Sequence, residues 1–377
     1  MLTIKNATII TPFKTLINAT LVIEKKYITF VGKKKTPKTT ISENKIINAK
    51  GLYVCPGFID VHTQGIGNYD VWDNSINSLI NMSKLYAKHG VTGFLATTDY
   101  KQDTIEFLNK NIELPGAKML GIHIEGPFIS KDFKGAIPVQ TIKKPDYKIL
   151  NNILTYKKIK MITVAPELNG INKIIKILNK RKIIVSLGHT NSNYEQALES
   201  IKNGATHCTH IFNAMRPFDK RDIGVTGACL SSDNVSVQVI PDGIHLHPSV
   251  LKFIYRIKPL DKIVIITDSI RAASMPDGVY KGNFVKYRGK VYLKNTNTLA
   301  GSCLTMENAV KNMFKFSGAN LNEVISMATI NPAKVIGIDN KLGSLQTGKI
   351  ADITIIDKNF NVKMTIVNGR IVKNILN

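Results

Sequence analysis

Hydrophobic and polar positions alternate along both ends of the chain and cluster along its middle. Residues 3–10, 20–24 and 27–32 read apolar–polar with a period near two, which predicts short β-strands with one covered face. Residues 351–357, 362–367 and 369–373 repeat the pattern, separated by the turn pairs Lys358-Asn359 and Asn368-Gly369. Two β-type ends around a different middle predict one small β-sandwich domain built from both ends, over 1–53 and 338–377. The middle, 54–337, holds compact apolar runs at 53–62, 91–97, 119–125, 160–165, 182–189, 205–212, 235–242 and 263–268. Helix-like stretches such as 75–88, 171–179 and 194–202 lie between them. Eight strand–helix units of this size predict an α/β fold of the (β/α)8, TIM-barrel type. An open doubly wound sheet is the rival, but no GxGxxG or GxxxxGK[ST] turn follows any run.

Composition narrows the class without changing that picture. With 44% hydrophobic and 21% charged residues among 377, the chain reads as a globular protein and not a disordered one. No apolar run approaches the ~20 residues that span a bilayer, and the opening Met1-Leu-Thr-Ile reads as a strand and not a signal peptide. Cys55, Cys208, Cys229 and Cys303 are scattered without a CxxC pair, so neither a disulfide framework nor a thiolate zinc site is expected, and a cytoplasmic location follows. The excess of 51 Lys+Arg over 27 Asp+Glu gives +24 and could attract anions. The lysines are spread along the chain, however, and the densest run is only Lys33-Lys34-Lys35. No nucleic-acid-binding pattern accompanies them, so no nucleic-acid or membrane partner is expected.

Candidate chemistry stands where the apolar runs end. They close on Asp60-Val-His62, His123-Ile-Glu125, Gly188-His189, His207-Cys-Thr-His210, Asp242-Gly-Ile-His245 and Thr267-Asp268. In a parallel barrel these ends meet at one face. Glu125, His189 and His210 would give a divalent cation three protein ligands and leave one position open, the pattern of a catalytic site. A cation so held brings the pKa of a bound water toward ~7. Asp268 could then take up a proton and deliver it to a leaving group. Each residue alone has a blander explanation: a turn cap, a helix cap, or a hydrogen-bonded polar side chain.

With those residues in view, the chain resembles the amidohydrolase superfamily. Pro56-Gly-Phe-Ile-Asp60-Val-His62 is similar to its first-strand motif. Asn331-Pro-Ala-Lys-Val-Ile-Gly337 followed by Gly343-Ser-Leu-Gln-Thr-Gly348-Lys-Ile-Ala-Asp352 is similar to its C-terminal signature. HxEGP at 123–127, THxxNAM at 209–215 and Leu299-Ala-Gly301-Ser resemble the N-acetylglucosamine-6-phosphate deacetylase branch. The resemblance implies one divalent metal held by Glu125, His189 and His210, with Asp268 as the catalytic acid/base. Zinc is the expected ion, with iron, manganese or cobalt as alternatives. It also implies substrate contacts at Ala136, Asn213, Ala214, Arg221, His245, Leu299, Ala300 and Gly301. The implied partners are a phosphorylated amino sugar and a second copy of the chain in a homodimer. His207, His247 and His89 match no ligand position.

Two departures stand out. Where the superfamily has His-x-His, this chain has His62-Thr-Gln64, which favours one metal and leaves His62 a tentative contact to a second. Where family members often place a polar residue to hold the amide oxygen, it has Ile137, which cannot donate a hydrogen bond. The function expected is hydrolysis of N-acetyl-D-glucosamine 6-phosphate to D-glucosamine 6-phosphate and acetate. The alternatives are another amidohydrolase acting on a cyclic amide or other N-acyl group, and, remotely, a non-catalytic polyanion binder. Many of the former bridge two metals with a lysine at the end of strand four, and 161–167 has none.

Overall fold

The computed structural model describes residues 1–33 and 45–376; of the lysine run, Lys34 and Lys35 lie outside the described residues. Eight parallel strands follow one another in chain order around a barrel: Phe58–Thr63, Val91–Thr98, Lys118–Glu125, Ile159–Val164, Ile184–Leu187, His207–Cys208, Ser236–Val239 and Ile263–Ile265. The seam between the first and the eighth is closed by a parallel bridge from Thr63 to Ser269. There Asp268 N also donates to His62 O at 2.9 Å. Closure matters for the site, because it sets the first and last strand ends side by side.

The helices outside the barrel form for local reasons. Ile76–Lys88 starts where the Ser75 side chain accepts from Ser78 N, and it buries Leu79, Met82 and Tyr86. Ile171–Lys180 buries Ile171, Ile174, Ile175 and Leu178, the i, i+3, i+4, i+7 stripe. Tyr194–Lys202 opens with a reciprocal cap between Asn193 and Gln196. Burying a side chain such as Leu178 contributes roughly 1.5–3 kcal/mol, and truncating it to alanine would cost ~2–5 kcal/mol.

The apolar run at 53–62 is two strands and not one. Tyr53–Pro56 pairs antiparallel with Ile353–Ile356 in a different sheet, and Phe58–Thr63 begins the barrel. Gly57 N donates to Asp352 O at the crossover. Both strands are covered on both sides, so their side chains carry no mark of the change of sheet.

Strands from both chain ends form one hydrogen-bonded sheet of eight. Its order runs Arg370–Asn374, Val362–Val367, Ile353–Ile356, Tyr53–Pro56, Leu2–Ile10, Thr15–Glu24 and Tyr27–Gly32, with Lys45–Asn48 also paired to Leu2–Ile10. It has its own core, including Ile4, Ile9, Leu21, Ile28, Val54, Ile353 and Ile366. A small antiparallel sheet, Gly278–Tyr280, Phe284–Tyr287 and Lys290–Leu293, follows the eighth barrel strand. It has no counterpart among the predicted runs: its strands are three or four residues long and half exposed, too short to show a period. Among the described residues no helix is long and apolar enough to cross a membrane, and all four cysteines are free.

Candidate active site

The polar strand ends converge at one mouth of the barrel. Glu125 is the last residue of its strand, while His189, His210 and Asp268 stand two or three residues beyond theirs. Those three share a left-handed backbone, with φ of 50°, 24° and 51°. For non-glycine residues that conformation costs roughly 1–2 kcal/mol each, so the surrounding fold has to impose it. At Asp268 the restraint is visible: its N–H donates to His62 O, and its carbonyl accepts from Ser302 N at 2.7 Å. Gly301 lies against the same carbonyl with φ of 56°, and a Cβ there would stand 2.9 Å from Asp268 O.

The side chains close a tight cluster. Glu125 Oε1 is 3.0 Å from both His189 Nε2 and His210 Nε2, which are themselves 3.0 Å apart. Asp268 Oδ1 lies 3.2 Å from His62 Nε2 and 3.3 Å from Gln64 Nε2. Both of these nitrogens also approach Glu125, at 3.4 and 3.5 Å. His62 Nδ1 donates to Gln238 Oε1 at 3.0 Å, and the same oxygen accepts from His210 N at 3.2 Å. Burial raises the pKa of Asp268 against the opposing pull of His62. Burial also disfavours charge on His62, but Glu125 and Asp268 outweigh it and raise its pKa to about 10. Burial likewise opposes the Glu125 carboxylate, and the imidazoles of His62 and His189 outweigh it, holding Glu125 well below the ordinary range.

The donor chemistry fits a divalent cation. His189 Nδ1 hydrogen-bonds Phe133 O at 2.9 Å, which spends its proton there and turns the Nε2 lone pair inward. Glu125 Oε1, His189 Nε2 and His210 Nε2 form a triangle of atoms able to ligate a metal. A tetrahedron with ~2.0 Å metal bonds has edges of roughly 3.3 Å, close to the sides of this triangle. His62 and Gln64 stand on the Asp268 side, where the amide donor of Gln64 already lies beside both carboxylates.

A cavity of about 580 Å³ opens above the cluster. Its walls include seven of the eight residues predicted to touch substrate: Ala136, Asn213, Ala214, His245, Leu299, Ala300 and Gly301. Arg221 is not among them; it is exposed, on a turn where its N–H donates to Asp219 Oδ1. His245 Nδ1 pairs with Asp242 Oδ2 at 2.7 Å. Burial opposes charge on His245, but Asp242 outweighs it and raises the pKa. His245 is therefore a charge-assisted donor in the wall. Ile137 is buried in the same wall, packed with Ile129 and Ile142. Trp72, Asp99, Lys131, Lys134 and Phe284 also line the cavity and were not predicted; of these only Asp99 carried a signal, as the polar end of the second apolar run. The three histidines that match no ligand position lie elsewhere: His207 in the barrel interior, His247 at a helix N-cap and His89 against Glu307.

The profile of the Amidohydrolase family matches residues 53–372. An N-acetylglucosamine-6-phosphate deacetylase of Lysinibacillus sphaericus is 38% identical over 86% of this chain and 87% of its own. An N-acetylgalactosamine-6-phosphate deacetylase of Escherichia coli O157:H7 is 32% identical over 84% and 87%. The crystal structure of N-acetylglucosamine-6-phosphate deacetylase from Pasteurella multocida superposes with a TM-score of 0.88 at 33% identity, over 99% of both chains.

Proposed function

The chain belongs to the amidohydrolase family, and on that footing we propose that it hydrolyses the acetamide of N-acetyl-D-glucosamine 6-phosphate, releasing D-glucosamine 6-phosphate and acetate. The observation that carries this reading is the triangle of Glu125, His189 and His210 beside Asp268, beneath a cavity of sugar-phosphate size.

A divalent cation bound by Glu125, His189 and His210 supplies Lewis acidity and a means of making hydroxide at neutral pH. Asp268 takes the proton of the attacking water and returns one to the departing amine nitrogen. His189 is oriented by Phe133 O, and Gln238 orients His62 and the backbone of His210. His245 and the backbone around Asn213 and Ala214 hold the phosphorylated sugar, while Leu299, Ala300 and Gly301 cover it. Ile137 offers the amide oxygen no hydrogen bond. Arg221 lies outside the cavity wall and is given no substrate contact.

Zinc is the cation we favour, with iron, manganese and cobalt compatible with the same donors. His62 and Gln64 fit a single-metal centre. A homodimer completes the reading: Phe212, Phe218, Val250 and Phe253 line an apolar hollow of about 210 Å³, and Phe218 and Phe253 are nearly half exposed. The galactosamine relative makes the C4 epimer the second substrate to test. Purified, metal-analysed protein is assayed for acetate release from both 6-phosphates and from unphosphorylated N-acetylglucosamine. Release confined to the phosphorylated sugars and abolished by a chelator is expected. Chelator-insensitive release, or equal turnover without phosphate, would overturn the reading.

A further inference from the structure

The left-handed turn that carries His189 is held from the fourth barrel strand, Ile159–Val164, which supplies none of the three ligand atoms itself. Before His189, Gly188 N donates to Val164 O at 3.2 Å. After it, the two carboxylate oxygens of Glu167 take the next two residues. Oε2 accepts from Thr190 Oγ1 at 2.5 Å, and Oε1 accepts from Asn191 N at 2.7 Å. Glu167 stands three residues past the fourth strand, half-buried and outside the cavity wall, so it cannot touch a substrate there. Thr190 has no exposed surface, and its Oγ1 also accepts from Ser192 N at 2.9 Å. Hydrogen bonds from a buried hydroxyl and a backbone N–H to one carboxylate are of the charge-assisted, stronger kind.

The clamped residue also fastens the neighbouring loop. Thr190 N donates to Ala214 O at 3.2 Å, and Thr190 O accepts from Arg216 N at 2.9 Å, the two rungs of a parallel bridge between Thr190 and Met215. One carboxylate thus fixes the turn of His189 and, through Thr190, the loop that follows His210. Two restraints then set where His189 Nε2 stands. The bond from Nδ1 to Phe133 O sets the rotation of the ring, and Glu167 sets the backbone from which the ring projects. The backbone restraint is needed because φ at His189 is 50°, a conformation that surrounding contacts have to impose. Resting on the metal centre proposed above, we infer that Glu167 is a positioning residue for that centre. It acts through Thr190 and Asn191 to keep His189 Nε2 in the triangle with Glu125 and His210.

The test follows metal retention and not turnover. Full-length enzyme loaded with cobalt(II) is exposed to rising concentrations of dipicolinate, and the bound ion is read by its visible absorption. Circular dichroism gives the folded fraction of each variant. The chelator concentration that removes half the cobalt is expected to fall about ten- to a hundredfold in Glu167→Ala. Glutamine can still accept from Asn191 N and donate to the Thr190 hydroxyl, so Glu167→Gln should stay within about threefold of wild type. Should the alanine variant not fold, Thr190→Val carries the test: it keeps the side-chain shape, removes the hydroxyl, and should lower the midpoint about three- to tenfold. A midpoint unchanged in Glu167→Ala, or in Thr190→Val where the former does not fold, would overturn the inference. So would a glutamine variant that loses cobalt as readily as the alanine one. A wild type that takes up no cobalt would instead remove the metal centre, and the function proposed above with it.

Discussion

The barrel mouth and the terminal sheet hold the same unusual backbone conformation for opposite reasons. In the sheet, left-handed residues are Asn6, Asn18, Lys25, Gly51, Phe360, Asn368 and Gly369, at bulges and turns, and mostly types that tolerate it. At the mouth they are His189, His210, Phe212, Ala214 and Asp268, beside Gly135 and Gly301, and several of them carry the side chains of the site. The interiors differ in the same way. The sheet closes mainly on buried isoleucine, leucine, valine and alanine, whereas the mouth buries the carboxylates of Glu125 and Asp268 with three imidazoles and leaves His62 Nε2 and His210 Nδ1 without hydrogen bonds. The sheet meets nearly all of its local demands with apolar contacts and turn residues. The mouth gathers buried ionisable groups and strained backbone because the closed barrel holds them in place, and the Glu125–His189–His210 cluster among them is where a cation would fit.

If that division is sound, the mouth can be disabled without weakening the sheet. The largest effect should come from stripping the metal with a chelator. Hydrolysis falls at least about a thousandfold and returns with added zinc, while circular dichroism of the sheet is unchanged. Asp268→Asn follows, lowering kcat roughly a hundred- to ten-thousandfold with KM little altered; normal turnover by that variant would remove Asp268 from the mechanism. His245→Ala comes next, raising KM for the phosphorylated sugar about ten- to a hundredfold through loss of a charged hydrogen bond. The pH dependence has a definite sign. His245 has its pKa raised above 6.5, so its imidazolium is present below that raised value, and KM climbs as pH rises through it. A KM flat with pH above neutrality would separate His245 from the phosphate.

The reverse experiment works on the sheet. Ile4 has no exposed surface, and Ile4→Ala should cost ~2–5 kcal/mol of stability, measured by urea unfolding, with kcat/KM per folded molecule unchanged. A fall in kcat/KM would show that the two regions are coupled.

The two regions were also unequally legible in sequence. The barrel strands could be read because parallel strands covered on both faces make continuous apolar runs, as at Phe94-Leu95-Ala96. The same continuity hid the change of sheet between Pro56 and Phe58. Glu125, His189, His210 and Asp268 were legible because each is a polar residue closing an apolar run. Trp72 and Phe284 were not, because contacts remote in sequence place them. Trp72, for example, sits on a turn braced by Arg271, whose Nη2 reaches Asp73 Oδ1 at 2.9 Å. Arg221 shows the converse: a motif position can match while the side chain stands outside the cavity wall.

The smallest expected effect sharpens the comparison most, since it holds backbone conformation constant. Asn368-Gly369, with φ of 49° and 74°, is the two-residue turn that joins Val367 to its partner Arg370. Asn368→Ala keeps the hairpin register but puts an unhelped Cβ into the left-handed region, at a cost of about 1 kcal/mol. Asn368→Gly should be nearly neutral, because glycine tolerates the conformation. Both variants should hydrolyse substrate at the wild-type rate. At His189, with nearly the same φ, glycine would relieve the backbone equally well yet remove a ligand from the triangle, and metal binding would be lost with it. If Asn368→Gly lowered activity, or if His189→Gly retained its metal, left-handed residues would not divide by region as argued, and the strain at the mouth would have some cause other than holding ligands.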